Sequence, residues 1–145
     1  MVTVFDVADY FLNRADKEED GDIITNLKLQ KLVYYAQGFH LAMFDKPLFD
    51  NQIEAWTHGP VCPDLYHAKK SFGRGPVEAN VDFDGSIFSD DQLELLDEIY
   101  TVYGQFSAWR LRDLTHEESP WCNNKDSKNI ISHSDLSEYF STQLQ

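Results

Sequence analysis

Apolar residues recur at every third or fourth position along much of this chain, which predicts a mainly α-helical protein. The first helix begins at Thr3, whose side chain can form a capping box with Asp6. Its apolar face consists of Val4, Val7, Ala8, Phe11 and Leu12. The acidic stretch ADKEEDGD, residues 15–22, interrupts this spacing and is predicted to be an exposed loop.

The segment LKLQKLVYYAQGFHLAMF predicts a longer second helix that begins after a cap at Thr25 or Asn26. Apolar side chains lie nearly all round this helix, so we expect other elements to cover it on several sides. Gly38 lowers the helix propensity, which indicates that a neighbouring element packs closely against it. Pro47 cannot continue the helix, which therefore ends before that residue.

A glycine–proline corner is predicted after the second helix. Residues 53–57 are predicted to be extended, and Gly59 with Pro60 then turns the chain. Pro63 suits the first position of a third helix, PDLYHAKKSF. We expect this structural corner to fix the angle between the second and third helices, with Trp56 packed beside it.

The second half of the chain predicts a hairpin and further helices. VEANVDFDGSIF alternates apolar and polar residues around Asp84 and Gly85, which is typical of a small β-hairpin. Ser89 and Gln92 form a capping box for a helix that Gly104 ends. The remaining segments are a helix through AWRLRDL capped by Ser107, a loop at THEESPW, and a last helix from Ser134 and Asp135 to near Leu144.

The composition supports a folded chain, with 145 residues of which 42% are hydrophobic and 14% aromatic. We expect residues 1–145 to form a compact single domain, mainly α, of five to six helices with a small β-hairpin or short-strand element. No apolar run approaches the ~20 residues of a membrane span, and no signal peptide is apparent. Cys62 and Cys122 form no C-x-x-C pair, so we expect free thiols and a cytoplasmic location.

The charge of the chain is strongly acidic, with 25 Asp and Glu against 12 Lys and Arg and a net charge of −13. This balance opposes binding to phosphate backbones, so a nucleic-acid partner is not expected. It favours attraction to a basic protein surface. A local excess of positive charge is interpreted as a solvated face and comprises Lys69, Lys70, Arg74, Arg110 and Arg112.

Histidine and cysteine residues raise the question of a metal or catalytic site. His58 with Cys62, and His116 with Cys122, could supply a zinc site, but neither pair has the close spacing typical of one. Cys62 precedes a helix, yet no orienting third residue or oxyanion loop is apparent. The H-E-x-x-H pattern fails at Pro120. We therefore expect no metal, no cofactor and no catalytic residue, with a small His/Cys-dependent hydrolase or zinc protein as an alternative.

Three motifs occur in order: K-L-Q-K-L-x-Y-Y-A-Q, A-W-x-x-G-P-V and L-T-H-x-x-x-P-W. With the flanking PLFDNQ and the closing DLSEYF, they resemble the Panacea domain of SocA-like antitoxins, which is also found in phage-associated proteins. The resemblance extends from Val4 to Phe140. His58 departs from it, because an aromatic residue such as Tyr often stands there.

The resemblance implies a mainly helical domain without an established cofactor or catalytic residue. It further implies that the chain neutralises a cognate toxin, encoded by an adjacent gene, through direct protein–protein interaction. An alternative is an adaptor that presents a bound protein to a protease. Since no extra DNA-binding segment is apparent, we do not expect the chain to regulate an operon.

Exposed aromatic residues would be natural anchors for a protein partner, because Tyr and Trp dominate binding energy at interfaces. The chain carries 3 Trp, 7 Tyr and 10 Phe, and most of them are expected in the core. The candidate partner-binding residues are Tyr34, Tyr35, Trp56, His58, Pro60, His116 and Trp121.

Overall fold

The computed structural model describes residues 1–18, 23–127 and 129–144, which form seven α-helices and a three-stranded sheet. The helices are α1 (Val4–Asp16), α2 (Asn26–Phe44), α3 (Pro63–Lys69), α4 (Asp90–Tyr103), α5 (Ala108–Thr115), α6 (Ser119–Cys122) and α7 (His133–Ser141). The strands are β1 (Ile53–Trp56), β2 (Gly59–Val61) and β3 (Ile130–Ile131). The prediction of a mainly α protein with a small strand element is confirmed.

Side-chain caps begin several helices where the sequence predicts them. Thr3 and Asp6 cap α1 reciprocally, and Ser89 and Gln92 do the same for α4. Each such cap contributes about 1 kcal/mol, because it satisfies backbone N–H groups that have no partner within the helix. Single acceptor side chains begin α2, α5 and α7, from Thr25, Ser107 and Ser132 respectively. The last helix therefore begins at His133, one residue before the predicted Ser134, and ends at Ser141 and not near Leu144.

Helix α2 is the centre of the fold and packs against α1, α3, α4, α5, α7 and β2. Most of its side chains are buried, in agreement with the apolar residues all round it. Gly38 faces Phe140 of α7, and a methyl group at Gly38 would collide with the Phe140 ring. The close approach predicted at Gly38 is therefore confirmed, and α7 is the element that makes it.

The sheet lies beside α2 in the antiparallel order β2–β1–β3. Trp56 of β1 pairs with Gly59 of β2, so Thr57 and His58 form the turn of a β-hairpin. On its other edge, Ile53 of β1 pairs with Ile131 near the C-terminus. The sheet thus brings the extended segment predicted at residues 53–57 next to both α3 and the chain before α7.

The prediction of a β-hairpin around Asp84 and Gly85 is wrong. Gly85–Ile87 form one turn of 3-10 helix, and the Asp84 carboxylate accepts a hydrogen bond from the Ser86 N–H at 2.9 Å. A side chain that binds the nearby backbone competes with strand pairing, which explains why the alternating pattern does not produce strands. Phe88 is buried after this turn, so the segment enters the core at that point.

Two predicted loops also differ from expectation. Part of THEESPW forms α6, whose second residue is Pro120, at a position where a helix needs no N–H donor. Helix α1 continues to Asp16, and residues 19–22 of the predicted acidic loop lie outside the described residues. Within the described residues, no helix combines the length and the apolar character needed to span a bilayer.

Candidate functional site

Buried polar side chains of α2 bind main-chain atoms of the segments around it. Asn26, Lys28, Gln30 and Gln37 are all buried. Their partners are the carbonyl groups of Tyr66 (3.2 Å), Gly104 (2.6 Å) and Phe49 (2.7 Å) and the N–H groups of Cys62 (2.9 Å) and Leu48 (2.8 Å). Because an unsatisfied buried polar group costs about 1–3 kcal/mol, these bonds fix the surrounding loops against α2.

Lys31 supports the glycine–proline corner from the interior of the protein. Its side chain is fully buried, and its ammonium group donates a hydrogen bond to the Pro60 carbonyl at 3.1 Å. Gly59 has a φ of 110°, and a methyl group there would lie 2.6 Å from Lys31 Cε and 2.8 Å from Thr115 Oγ1. Glycine is therefore required both by the backbone conformation and by the space. Burial, and secondarily the positive charge of Arg112, lower the pKa of Lys31 to about 7.

Glu118 is buried beneath the same region and binds two adjacent tyrosines. The Tyr34 hydroxyl donates to Glu118 Oε1 at 2.8 Å, and the Tyr35 hydroxyl donates to Oε2 at 2.9 Å. Burial raises the pKa of Glu118 to about 7, although the two hydrogen bonds act in the opposite direction. Burial and the Glu118 charge raise the pKa values of both tyrosines, so their phenols stay protonated and donate.

Trp121 links α6 to the hairpin. Its indole N–H donates a hydrogen bond to the Trp56 carbonyl at 2.7 Å, and the His116 ring stacks on its face at 3.8 Å. Burial is the main cause that lowers the pKa of His116, which favours the neutral ring. Within the part of the chain that the structure describes, His116 Nε2 is buried without a hydrogen-bond partner. These contacts support the hairpin turn from its inner side.

The outer side of the hairpin turn carries an exposed cluster with α5. Trp109 is 58% exposed, and the His58 ring meets it edge to face at 5.6 Å. Arg112 Nε donates to His58 Nδ1 at 3.3 Å, and the Arg112 guanidinium lies 5.1 Å from the Trp109 ring centre. An arginine over an aromatic face gains a cation–π attraction and is held in a defined orientation.

The cluster continues along the other side of the hairpin towards α3. Trp56 packs edge to face on Tyr66 at 5.1 Å, and its ring centre lies 6.4 Å from that of His67. The hairpin therefore contacts α3 through Trp56 and α5 through His58, and we treat the residues of both contacts as one surface. We call it the hairpin surface, and it comprises Trp56, His58, Tyr66, His67, Trp109 and Arg112.

The predicted partner-binding residues divide between this surface and its support. His58 is exposed, Trp56 and His116 are partly exposed, and Trp121 is 9% exposed. Tyr34, Tyr35 and Pro60 are buried, so their side chains cannot meet a partner in this conformation and instead belong to the support. Partner contact by Trp56, His58, His116 and Trp121 stays a prediction.

Trp109 is the most exposed Trp or Tyr side chain of the hairpin surface, and it is not among the partner-binding residues predicted from the sequence. Leu111 and Thr115 form the buried side of α5, and Trp109, two positions before Leu111, points away from that side. Helical spacing in AWRLRDL could therefore have identified Trp109 as exposed. Cys122 Sγ lies 3.1 Å from the His116 carbonyl oxygen, but within the described residues no three His, Cys, Asp or Glu side chains lie close enough to hold a metal ion.

Comparison with known proteins gives a family and one curated relative. The model of the family described as antitoxin SocA-like, Panacea domain, matches residues 29–122, which include most of α2, the hairpin and α5. Antitoxin SocA of Caulobacter vibrioides is 44% identical over 59 residues, which are 40% of this chain and 31% of that protein. The chain thus spans about a third of the length of this relative. No solved structure matches the chain.

Proposed function

Because the chain belongs to the SocA-like antitoxin family with the Panacea domain, we propose that it neutralises a cognate toxin by direct protein–protein contact. The toxin would be the product of an adjacent gene, and the contact would take place in the cytoplasm. The curated relative is itself named an antitoxin, which supports this role. We further propose that the hairpin surface is the centre of the contact.

The exposure of Trp109 is the observation that carries this proposal. A Trp that is 58% exposed leaves apolar area in water, and a partner that covers this area gains binding free energy. Trp and Arg are enriched among the residues that dominate binding energy, and Trp109 and Arg112 lie together here. A large aromatic anchor beside an oriented arginine is therefore suited to binding a protein.

The support beneath the surface strengthens the proposal. Lys31 binds the Pro60 carbonyl, and Trp121 binds the Trp56 carbonyl, so both strands of the hairpin are held from inside. A surface that is ordered before binding loses less conformational entropy on association. We therefore expect the hairpin surface to bind its partner without a large rearrangement.

The polar groups beneath the surface favour binding over catalysis. The Cys62 thiol is buried, and burial raises its pKa to about 11, which disfavours the thiolate that a nucleophile needs. Both oxygens of Glu118 accept hydrogen bonds from buried tyrosines. These residues suit a structural role, and we propose that the chain is not an enzyme.

Co-expression with the adjacent gene product tests the proposal. We expect the wild-type chain to restore growth and to co-purify with the toxin. Trp109→Ala should weaken the complex at least about tenfold, because loss of an anchor aromatic costs about 2 kcal/mol or more. Met43→Ala is the matched control, since Met43 is 48% exposed near the far end of α2 and should have no such effect.

The outcome distinguishes this function from the alternatives. Failure of the wild-type chain both to restore growth and to bind the toxin would contradict the proposal. If growth returns only because the toxin disappears from cells that contain an active protease, the chain acts as an adaptor. A constant toxin level with restored growth supports neutralisation by binding.

A further inference from the structure

The charges of the chain are divided unevenly around the hairpin surface. Residues 57–75 and 105–116 contain five Lys or Arg against two Asp or Glu. The rest of the chain contains seven Lys or Arg against twenty-three Asp or Glu. The fold brings these two segments together, because α5 packs against β2 while Trp56 packs on Tyr66 of α3. The segments on either side of the hairpin turn therefore carry more basic than acidic residues, although Trp56 precedes them and its indole N–H donates a hydrogen bond to Glu54 at 2.9 Å.

Arg112 is placed to donate hydrogen bonds to a carboxylate from outside the chain. Its Nη1 bonds to the carboxylate of the adjacent Asp113 at 3.1 Å, and the Asp113 side chain is 59% exposed. Such an exposed pair contributes about 0–1 kcal/mol, so a partner carboxylate can replace Asp113 at little cost. The neighbouring Trp109 ring supplies an apolar face beside this charged group.

We propose, resting on the function proposed above, that the hairpin surface binds an acidic segment of the toxin. One carboxylate of the segment pairs with Arg112, and an adjacent apolar side chain packs on Trp109. Lys70, which directly follows α3, and Arg110 of α5 are exposed and attract further acidic groups. This charge preference is the reverse of the one that the net charge of −13 indicates.

An acidic peptide segment fits this surface better than a nucleic acid does. A nucleic acid carries phosphate charge along its whole length, which extends beyond the hairpin surface and meets the acidic remainder of the chain. Charges interact over roughly 8 Å at physiological ionic strength, so this remainder repels a long polyanion close to the surface. A short acidic segment with an apolar residue can bind Arg112 and Trp109 without extending over that remainder.

Peptide binding to the purified chain tests the inference without the toxin. The probe is a fluorescein-labelled twelve-residue peptide of Glu, Asp and Ser around a central Leu-Phe pair, and anisotropy is measured at physiological salt. A peptide with Lys in place of the acids and a twelve-nucleotide oligothymidylate are the comparisons. We expect saturable binding of the acidic peptide, with weaker binding of both comparisons.

Variants locate the binding and control for folding. Arg112→Gln and Trp109→Ala should each weaken the binding of the acidic peptide at least about tenfold, as expected for the loss of a charge-assisted contact and of an aromatic anchor. Lys46→Gln is the matched control, because Lys46 is exposed and follows the opposite end of α2, roughly 20 Å along the helix from Lys31. All variants should keep the thermal unfolding temperature of the wild-type chain.

The results separate this inference from the proposed function. No saturable binding of the acidic peptide, equal binding by Arg112→Gln, or tighter binding of the oligonucleotide would each overturn the inference. If the toxin is neutralised equally well by the wild-type chain and by Arg112→Gln, the inference fails and the antitoxin function stands. If the wild-type chain neutralises no toxin, the proposed function fails and the peptide titration alone decides the chemistry of the surface.

Discussion

At the scale of single residues, Glu118 couples the stability of the protein to pH. Its folded-state pKa is about 7, above the ordinary value of 4.5, because the carboxyl group is buried. The folded protein therefore binds this proton more tightly than the unfolded chain. The resulting stabilisation is fully present below pH 4.5 and is lost as the pH rises through 7.

Glu118→Gln should remove this pH dependence. Between pH 4.5 and 7 we expect the free energy of unfolding of the wild-type protein to fall by up to about 1.4 kcal/mol per pH unit from this group. The Gln variant should show a flatter profile, measured by urea unfolding across this range. Glu94→Gln, at an exposed position of α4, is the control and should keep the wild-type slope. Identical slopes for wild type and Glu118→Gln would contradict the prediction.

Lys31 has the opposite dependence on pH. Its folded-state pKa is lowered from 10.5 to about 7, so above pH 7 the unfolded chain binds this proton more tightly than the folded protein. The free energy of unfolding should therefore rise by up to about 1.4 kcal/mol per pH unit between pH 7 and 9 from this group. Above about pH 8 the unfolded Cys62 thiol ionises and opposes this rise, because burial raises its folded-state pKa to about 11. The difference in slope between the wild type and a Lys31 variant therefore isolates the contribution of the lysine.

Lys31→Met tests this dependence through the slope of stability against pH. The variant loses the bond to the Pro60 carbonyl and leaves one buried acceptor unsatisfied, but it also removes the cost of burying a lysine whose pKa is lowered by the fold. The stability of the variant should rise less steeply from pH 7 to 9 than that of the wild type. Lys46→Met, at an exposed lysine, should retain the wild-type slope. A variant whose slope equals that of the wild type would rule out a lowered pKa at Lys31.

The roles of these buried residues could not be predicted from local sequence. The pattern in LKLQKLVYYAQ indicates burial all round, but it does not say what Lys31 or Tyr34 will bind. Their partners, Pro60 and Glu118, lie 29 and 84 positions further along the chain. Trp109 is different, because the spacing of Leu111 and Thr115 already shows which side of α5 is buried.

At the scale of elements, the close contact between α2 and α7 depends on the absence of a side chain at Gly38. Gly38→Ala should destabilise the protein by about 1–3 kcal/mol, because the added methyl group collides with Phe140. This loss should exceed the gain of up to about 1 kcal/mol in helix propensity. Urea unfolding measures the difference between the wild type and the variant.

A second substitution shows whether the collision is the cause. Phe140→Leu removes ring atoms near Gly38, so Gly38→Ala should be less harmful in the Phe140→Leu background than in the wild type. If Gly38→Ala stabilises the wild-type protein, the close contact between α2 and α7 does not limit this position. If the two substitutions are simply additive, the cost of Gly38→Ala has another origin.

The start or end of a helix could be predicted where the residues that determine it lie next to one another in the sequence. The capping boxes at Thr3 and Ser89 and the end of α2 before Pro47 depend on adjacent residues, and the structure confirms them. The strand pairing of Ile53 with Ile131 joins distant segments and has no local signal. At Asp84 the local alternation was misleading, because the capping carboxylate favours a helical turn.

At the scale of the whole molecule, net charge and charge at the binding surface differ. The value of −13 favours a basic partner, as the sequence alone predicts. Arg112 lies over the exposed Trp109 ring and Arg110 is its neighbour in α5, so the basic groups beside this ring have the opposite sign to the net charge. Net charge sums over all positions, and only the three-dimensional arrangement shows which positions share a surface.

The bonds from α2 to main-chain atoms have a consequence for protein engineering. Every residue type supplies the same carbonyl group, and nearly every type the same N–H, so the bonds to Tyr66, Gly104 and Phe49 do not depend on those side chains. Exposed positions in the turn and on α5 can then be varied as a combinatorial library while the interior keeps its shape. Selection from such a library would yield chains that share one fold and bind different targets.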